Sequence, residues 1–193
     1  MAGNSPRIGV LALQGDFREH IASSLKAGHS AAPIRRKSEL EDIDALILPG
    51  GESTTIALLA KSYDLFQPIR EKISQGLPVY GSCAGMILLA DRILDGAPGQ
   101  ETFGGINMTV RRNAFGRQVE SFEGEIDFNR EKINGVFIRA PWVEEVSSDV
   151  EVLSMAAGHP VAVRQGKLFA TSFHPELTGD LRIHQYFFEE ICR

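Results

Sequence analysis

An α/β fold with a mostly parallel central sheet flanked by helices is predicted by three observations. Short apolar segments alternate with helical patterns from residue 7 onward, in a strand–helix–strand rhythm. Two of those segments run directly into glycine-rich turns, Pro49-Gly50-Gly51 and Gly81-Ser82-Cys83-Ala84-Gly85. Each turn is followed by a helical pattern, so reactive groups are expected at the carboxyl edge of the sheet.

Residues 7–13 read as a strand, 17–27 as a helix closed by Gly28, 31–35 as a second strand and 45–48 as a third. Helical patterns follow at 53–61 and 65–75, then a short central strand at 79–80 and a helix over 84–94. Residues 95–100, with two glycines and a proline, read as a surface loop. Beyond residue 104 the pattern changes to short alternating strands at 106–111, 122–128, 136–139, 151–156, 161–164 and 168–172. An amphipathic helix over 181–191 closes the chain. With no repeat, low-complexity tract or linker, residues 1–193 are expected to form a single domain.

Composition narrows the function classes. The chain has 193 residues, 43% of them hydrophobic, and a net charge of -5. A domain of that size buries roughly 70% of its unfolded surface, enough for a full core. The acidic balance gives no nucleic-acid footprint and is too small to imply disorder. No apolar run approaches a membrane span, and the first residues lack the apolar centre of a secretory signal, so a cytoplasmic protein is expected. Two cysteines, Cys83 and Cys192, are too few for a disulfide framework. Cys192, one residue from the C-terminus, is expected to be inert.

Cys83 carries the chemistry. It stands where an apolar strand turns into a helix, the context of a nucleophile elbow, with Gly81 and Gly85 leaving room for the sharp bend. A helix N-terminus also favours thiolate over thiol. Far downstream, Phe173-His174-Pro175-Glu176 supplies a base and a carboxylate two positions on; strand alternation would put both on one face, where the carboxylate fixes the imidazole tautomer. Taken singly, a lone cysteine reads as a small buried hydrophobe and a His-Pro-Glu tripeptide as a polar strand end. Their conjunction points to a thiol enzyme with Cys83, His174 and Glu176 in catalytic roles.

The turn Pro49-Gly50-Gly51-Glu52-Ser53-Thr54 follows a buried strand and opens a helix, so it can offer backbone N–H groups to an oxyanion. It lacks the lysine and spacing of a phosphate loop, and Ser53 or Thr54 reads equally well as a plain helix cap. His29, His159 and His184 sit in turn or helix contexts without metal-ligand spacing, and neither metal nor cofactor is expected.

In combination, the elbow, the Pro-Gly-Gly-Glu-Ser turn and the His-Pro-Glu ending resemble class I, triad-type glutamine amidotransferases. More narrowly, three further stretches resemble the glutaminase subunits of pyridoxal 5'-phosphate synthase: Leu13-Gln14-Gly15 with Arg18-Glu19-His20, Arg112-Asn113-Ala114-Phe115-Gly116-Arg117-Gln118, and Phe137-Ile138-Arg139-Ala140-Pro141. The resemblance runs from Ile8 to the C-terminus. It departs from the family at Asp16-Phe17, where smaller residues are usual, at Ser82, where threonine is frequent, and in a slightly long 95–100 segment.

The resemblance implies the three-layer fold of class I glutamine amidotransferases and hydrolysis of L-glutamine to glutamate and ammonia through a cysteine thioester. It implies that Ala84 and Gly51 form the oxyanion hole, that Gly51, Glu52 and Ser53 line the glutamine site, and that Arg112, Ile138 and Arg139 close it. Taken alone, Arg112 and Arg139 would read as a solvated strand face. His20 resembles a position near the partner interface. An ammonia-producing domain with no acceptor domain of its own implies a second chain that consumes ammonia. The resemblance identifies it as the synthase subunit, a (β/α)8 barrel in a hetero-oligomeric complex, whose contact near Gln14-Gly15 completes the oxyanion turn. Three other readings are weighed: the glutaminase subunit of another amidotransferase such as imidazole glycerol phosphate synthase, a thiol hydrolase of the α/β-hydrolase type, and a binding module with Cys83 as redox sensor. The first lacks the Leu-Gln-Gly and Arg-Asn-x-Phe-Gly-Arg-Gln stretches, and the second places its acid before the histidine. The third leaves His174 and Glu176 without a role.

Overall fold

The computed structural model describes residues 6–114 and 121–193; residues 115–118 of the Arg-Asn-x-Phe-Gly-Arg-Gln stretch lie outside them. The first half runs β1 (Ile8–Leu11), α1 (Phe17–Lys26), β2 (Ala31–Ile34), α2 (Lys37–Glu41), β3 (Ala45–Leu48), α3 (Ser53–Ser62), α4 (Phe66–Ser74), β4 (Val79–Ser82) and α5 (Ala84–Leu89). The second half runs β5 (Ala90–Leu94), β6 (Ile106–Arg111), β7 (Ser121–Phe128), β8 (Glu131–Ile138), β9 (Trp142–Val146), β10 (Glu151–Ala156), β11 (His159–Gln165), β12 (Leu168–Thr171) and α6 (Arg182–Tyr186), which continues as a π-helical turn over Phe187–Ile191.

The central sheet has the order β10-β11-β12-β4-β3-β1-β2. From β12 to β2 every pairing is parallel, and β11 and β10 extend the sheet as an antiparallel hairpin. Its inner strands read as continuous apolar runs because both faces are covered. In β3, Leu46 and Leu48 enter a core with Ile56 of α3, Phe66 and Ile69 of α4 and Leu88 of α5, while Ala45 and Ile47 enter a second core with Ile183 of α6, Phe187 and, from α1, Phe17 and Ile21. The result is the three-layer arrangement expected. Among the described residues no helix is long and apolar enough to cross a membrane.

Most expected elements appear within one to three residues of their expected bounds, and the differences have local causes. The helix expected over 84–94 stops at Leu89, and Ala90–Leu94 is strand β5, parallel to β6. The Leu88 carbonyl, which a continuing helix would offer to Arg92, instead accepts the N–H groups of Phe103 and Gly104 at 2.8 and 3.1 Å. Strand β8 begins five residues before the expected 136 and pairs with β7 around Asn129 and Arg130, both at positive φ (48° and 68°). That turn carries no glycine, so the usual hairpin signal is absent. Strand β9 and the five-residue α2 were not expected. In α2 the Glu39 carboxylate accepts from the N–H groups of Arg35 and Arg36, and the helix is too short to show periodicity.

Candidate active site

Cys83 connects β4 to α5 with φ 48° and ψ -100°, a backbone conformation that costs an L-residue on the order of 1–3 kcal/mol. Two glycines permit it. A Cβ on Gly81 would overlap the backbone of Gly85, and a Cβ on Gly85 would overlap the Leu48 carbonyl oxygen, so helix and strands meet backbone to backbone. The Cys83 N–H donates to Thr171 of β12 at 2.8 Å, and its Sγ faces the Ile138 carbonyl at 3.9 Å. Ala84 is the first residue of α5, so its N–H has no acceptor inside the helix.

His174 and Glu176 lie beyond the end of β12, not on it. Glu176 sits in a one-turn 3-10 helix, Pro175–Leu177, with His174 capping it. The tight turn, rather than strand alternation, brings His174 Nδ1 to 2.7 Å from Glu176 Oε1. The His174 N–H donates to the Val136 carbonyl at 2.8 Å, which fixes the turn against the β7–β8 hairpin. A second carboxylate, Asp16 Oδ2, stands 3.4 Å from the same Nδ1. Burial pulls the His174 pKa down, but hydrogen bonds with Asp16, Cys83 and Glu176 outweigh it and push it up to about 12. Burial also raises Glu176, against the opposing effect of His174. Two carboxylates and the sulfur converge on one ring, which favours the imidazolium form of His174. Asp16, His174 and Glu176 approach closely enough to share a cation, but the Nδ1–Oε1 separation is that of a proton already held in a hydrogen bond.

Cys83 and His174 face a cavity of ≈ 360 Å³, which is also lined by Gly51, Glu52, Ser53, Arg112, Ile138 and Arg139. Thus eight of the ten expected site residues meet on one wall system; Glu176 lies behind His174, and Ala84 beneath the elbow. Arg112 does not lie on a solvated strand face. Its Nη2 reaches Glu52 Oε1 at 3.0 Å and its Nη1 reaches Gln100 Oε1 at 2.7 Å. The cap of α3 is neither Ser53 nor Thr54 but Glu52, whose carboxylate accepts from Thr54 N–H at 3.1 Å and Thr55 N–H at 2.7 Å. Burial raises the Glu52 pKa, yet the Thr55 and Thr54 hydrogen bonds together leave it lowered.

Several contacts around the site were not expected from sequence, although Gln14-Gly15 and His20 were placed by resemblance on the partner side. Gln100, at the end of the segment read as a surface loop, donates from Nε2 to Ser53 Oγ at 2.8 Å while its Oε1 accepts from Arg112 and Thr54. Gln14 is half-buried, and its Oε1 accepts the Glu52 N–H at 2.8 Å. The Asp16 N–H donates to the Gly50 carbonyl at 3.1 Å, and Gly15 packs so closely on Gly50 that no side chain fits there. The β1–α1 loop and the Gly50-Gly51 turn are therefore one unit. His20 and His184 are wholly buried beneath Glu176. Cys192 is a free thiol that burial pushes up to about 12.

A parallel-sheet scaffold thus brings a strained cysteine elbow and a facing His–Glu pair to one cavity. Residues 10–193 match the SNO glutamine amidotransferase family, and the chain belongs to it. A curated relative from Mycobacteroides abscessus, described as pyridoxal 5'-phosphate synthase subunit PdxT, is 58% identical over 189 residues, covering 97% of this chain and 98% of the relative. One of the same description from Streptomyces coelicolor is 59% identical over 187 residues, 95% of this chain and 93% of that one. A solved structure described as a glutamine amidotransferase is 49% identical, covers 96% of this chain and 98% of that chain, and has a TM-score of 0.90.

Proposed function

We propose that this chain is the glutaminase subunit of a pyridoxal 5'-phosphate synthase, hydrolysing L-glutamine to L-glutamate and ammonia for a synthase subunit that consumes the ammonia. The carrying observation is the meeting of Cys83 and His174 on one cavity wall, with Glu176 behind, in a member of a glutamine amidotransferase family. The description shared by relatives at 58 and 59% identity favours this assignment over the glutaminase subunit of another amidotransferase such as imidazole glycerol phosphate synthase.

In this reading the Cys83 sulfur, as thiolate, attacks the side-chain amide carbon of glutamine. The developing oxyanion is received by the N–H groups of Ala84 and Gly51. His174, already charged, gives its Nε2 proton to the leaving nitrogen, and ammonia departs from a γ-glutamyl thioester. The neutral imidazole then takes a proton from the attacking water. Collapse of the second tetrahedral adduct expels the thiolate beside the imidazolium and leaves a γ-carboxylic acid, which ionises to glutamate by giving its proton to water or to the ammonia, so charge and protons balance over the cycle. Glu52 and Arg112 offer opposite charges to the ammonium and carboxylate of the amino acid, with Ser53, Ile138 and Arg139 around them.

Gln100 ties two of these groups together without facing the reacting atoms. Gln100→Ala is expected to raise KM for glutamine several-fold while kcat stays within about two-fold, because each lost hydrogen bond is worth about 1 kcal/mol and none belongs to the transition state alone. Steady-state kinetics over a glutamine series checks it.

The partner is proposed to be a (β/α)8 barrel bound near Gln14–Asp16. Turning the Gly50–Gly51 peptide toward the oxyanion breaks little more than the Asp16–Gly50 hydrogen bond, about 1 kcal/mol. A partner seated on the β1–α1 loop is therefore well placed to do it. The test is glutamate release by the purified chain with and without the synthase subunit. Activity is expected to rise mainly in kcat, since an oxyanion contact exists only in the transition state. Equal kcat with a saturating partner rules out activation, and no glutamate in either case rules out the glutaminase reading. Replacing Gln14 is expected to weaken activation, in part because it also frees the Glu52 N–H.

A further inference from the structure

We propose that His20 and His184 form a buried strut of two imidazoles that presents one N–H to the outer oxygen of Glu176 and to Ser82, making His20 a positioning residue for the His174–Glu176 pair. The proposal rests on the reading of Cys83, His174 and Glu176 as catalytic.

Glu176 uses only one oxygen on His174. Its Oε2 is buried and has no hydrogen bond of ordinary length; the group facing it is His20 Nε2 at 3.4 Å. The same Nε2 is 2.8 Å from Ser82 Oγ, in the residue just before the nucleophile. On the other side of the ring, His20 Nδ1 is 3.0 Å from His184 Nε2. Both imidazoles are completely excluded from solvent, one on α1 and one on α6, so the contact joins the two helices beneath the site.

The proton positions follow from which arrangement leaves the least unsatisfied. Of the two nitrogens facing each other one must donate and one accept. If His20 carried its proton on Nδ1, its bare Nε2 could accept from the Ser82 hydroxyl but would also face the lone pairs of Glu176 Oε2, leaving that oxygen without a donor, and His184 would bury an Nδ1–H with no partner. In the opposite arrangement His184 Nε2–H donates to His20 Nδ1, and His20 Nε2–H is shared between Ser82 Oγ and Glu176 Oε2. The bare His184 Nδ1 is then an unused acceptor, the smaller loss. Burial, together with His184 and His174, lowers His20, and burial lowers His184 to about 4, so both rings are neutral where the enzyme works. The groups facing the pair are Glu176 and His174 from the turn after β12, and the ring of Tyr80 from β4, 5.9 Å from His20 and 6.0 Å from His184. Asp16, from the β1–α1 loop, acts on the same His174–Glu176 pair. Two apolar side chains could fill this space; the imidazoles differ from them in supplying a directed donor to a buried carboxylate.

The experiment compares wild type, His20→Leu and His20→Gln, the last retaining an N–H donor. Removing the donor destabilises the Glu176 carboxylate, so its protonation moves to higher pH. In His20→Leu, kcat is expected to fall at least about ten-fold with KM little changed, and the acid limb of the kcat–pH profile to move up by about one pH unit. His20→Gln is expected to recover most of both. A role confined to packing would lower stability without moving that limb, and would not be rescued by glutamine. Should His20→Leu not fold, nitrogen NMR of 15N-histidine-labelled wild type decides: His20 protonated on Nε2 and His184 on Nε2 supports the strut, and His20 protonated on Nδ1 overturns it. An unmoved acid limb in folded His20→Leu overturns it as well. Glutamate release by wild type is scored separately, so failure of the glutaminase reading is seen as an inactive wild type and not as an unaffected variant.

Discussion

Cys83→Ala is expected to abolish glutamate release, with a loss on the order of 10⁴-fold or more, while Cys192→Ala leaves it nearly unchanged. The two thiols differ in where the fold places them. Cys83 is held in a left-handed backbone conformation at the end of a central strand and opens onto the cavity beside His174. Cys192 is half-buried against the second core and its thiol is pushed up to about 12. Alanine at position 83 gives up the contacts of the sulfur with the Ile138 carbonyl and His174, but the elbow is built by Gly81 and Gly85, so the variant should fold. An electrophilic glutamine analogue is expected to attach at Cys83 in the wild type and at neither cysteine in Cys83→Ala, as read by mass spectrometry of peptides. Similar activities for the two variants would show that the nucleophile lies elsewhere.

What the sequence made legible divides by the range of the interactions involved. Strand β3, with four apolar residues ended by Pro49-Gly50-Gly51, and the elbow at Cys83 are set by local chemistry and appear where expected. The pairing of His174 with Glu176 was also expected, though through the wrong geometry: a proline-led turn does what strand alternation was invoked for. The missed features depend on partners distant in the chain. Nothing near Leu89 announces that its helix ends because Phe103 and Gly104 take the Leu88 carbonyl. Nothing in a glycine-bearing loop announces that Gln100 will hold Ser53 and Arg112. His20, placed by resemblance near the partner interface, and His184, discounted for lack of metal-ligand spacing, become meaningful only when α1 and α6 meet. Gln14 stood in a recognisable motif, which was the available signal for its bond to Glu52.

His174→Ala is expected to lose nearly all activity, about 10³- to 10⁴-fold, because both the leaving nitrogen and the attacking water depend on its proton. Glu176→Gln is expected to be milder by about one to two orders of magnitude, as an orienting group usually is relative to the base it orients. The structure adds a reason. Asp16 Oδ2 is 3.4 Å from His174 Nδ1, close to the 2.7 Å of Glu176 Oε1, so a second carboxylate remains to hold the imidazolium when Glu176 is neutralised. Asp16 is half-exposed and lies on a loop, a poorer place from which to fix the ring, which is why it does not make Glu176 dispensable. Asp16→Asn should therefore be mild alone, whereas Asp16→Asn with Glu176→Gln should approach His174→Ala, a loss greater than the two single effects combined. Kinetics of the four variants close the cycle. Simple additivity would show that Asp16 does not share the work of Glu176, and a fully active His174→Ala would remove His174 from the mechanism.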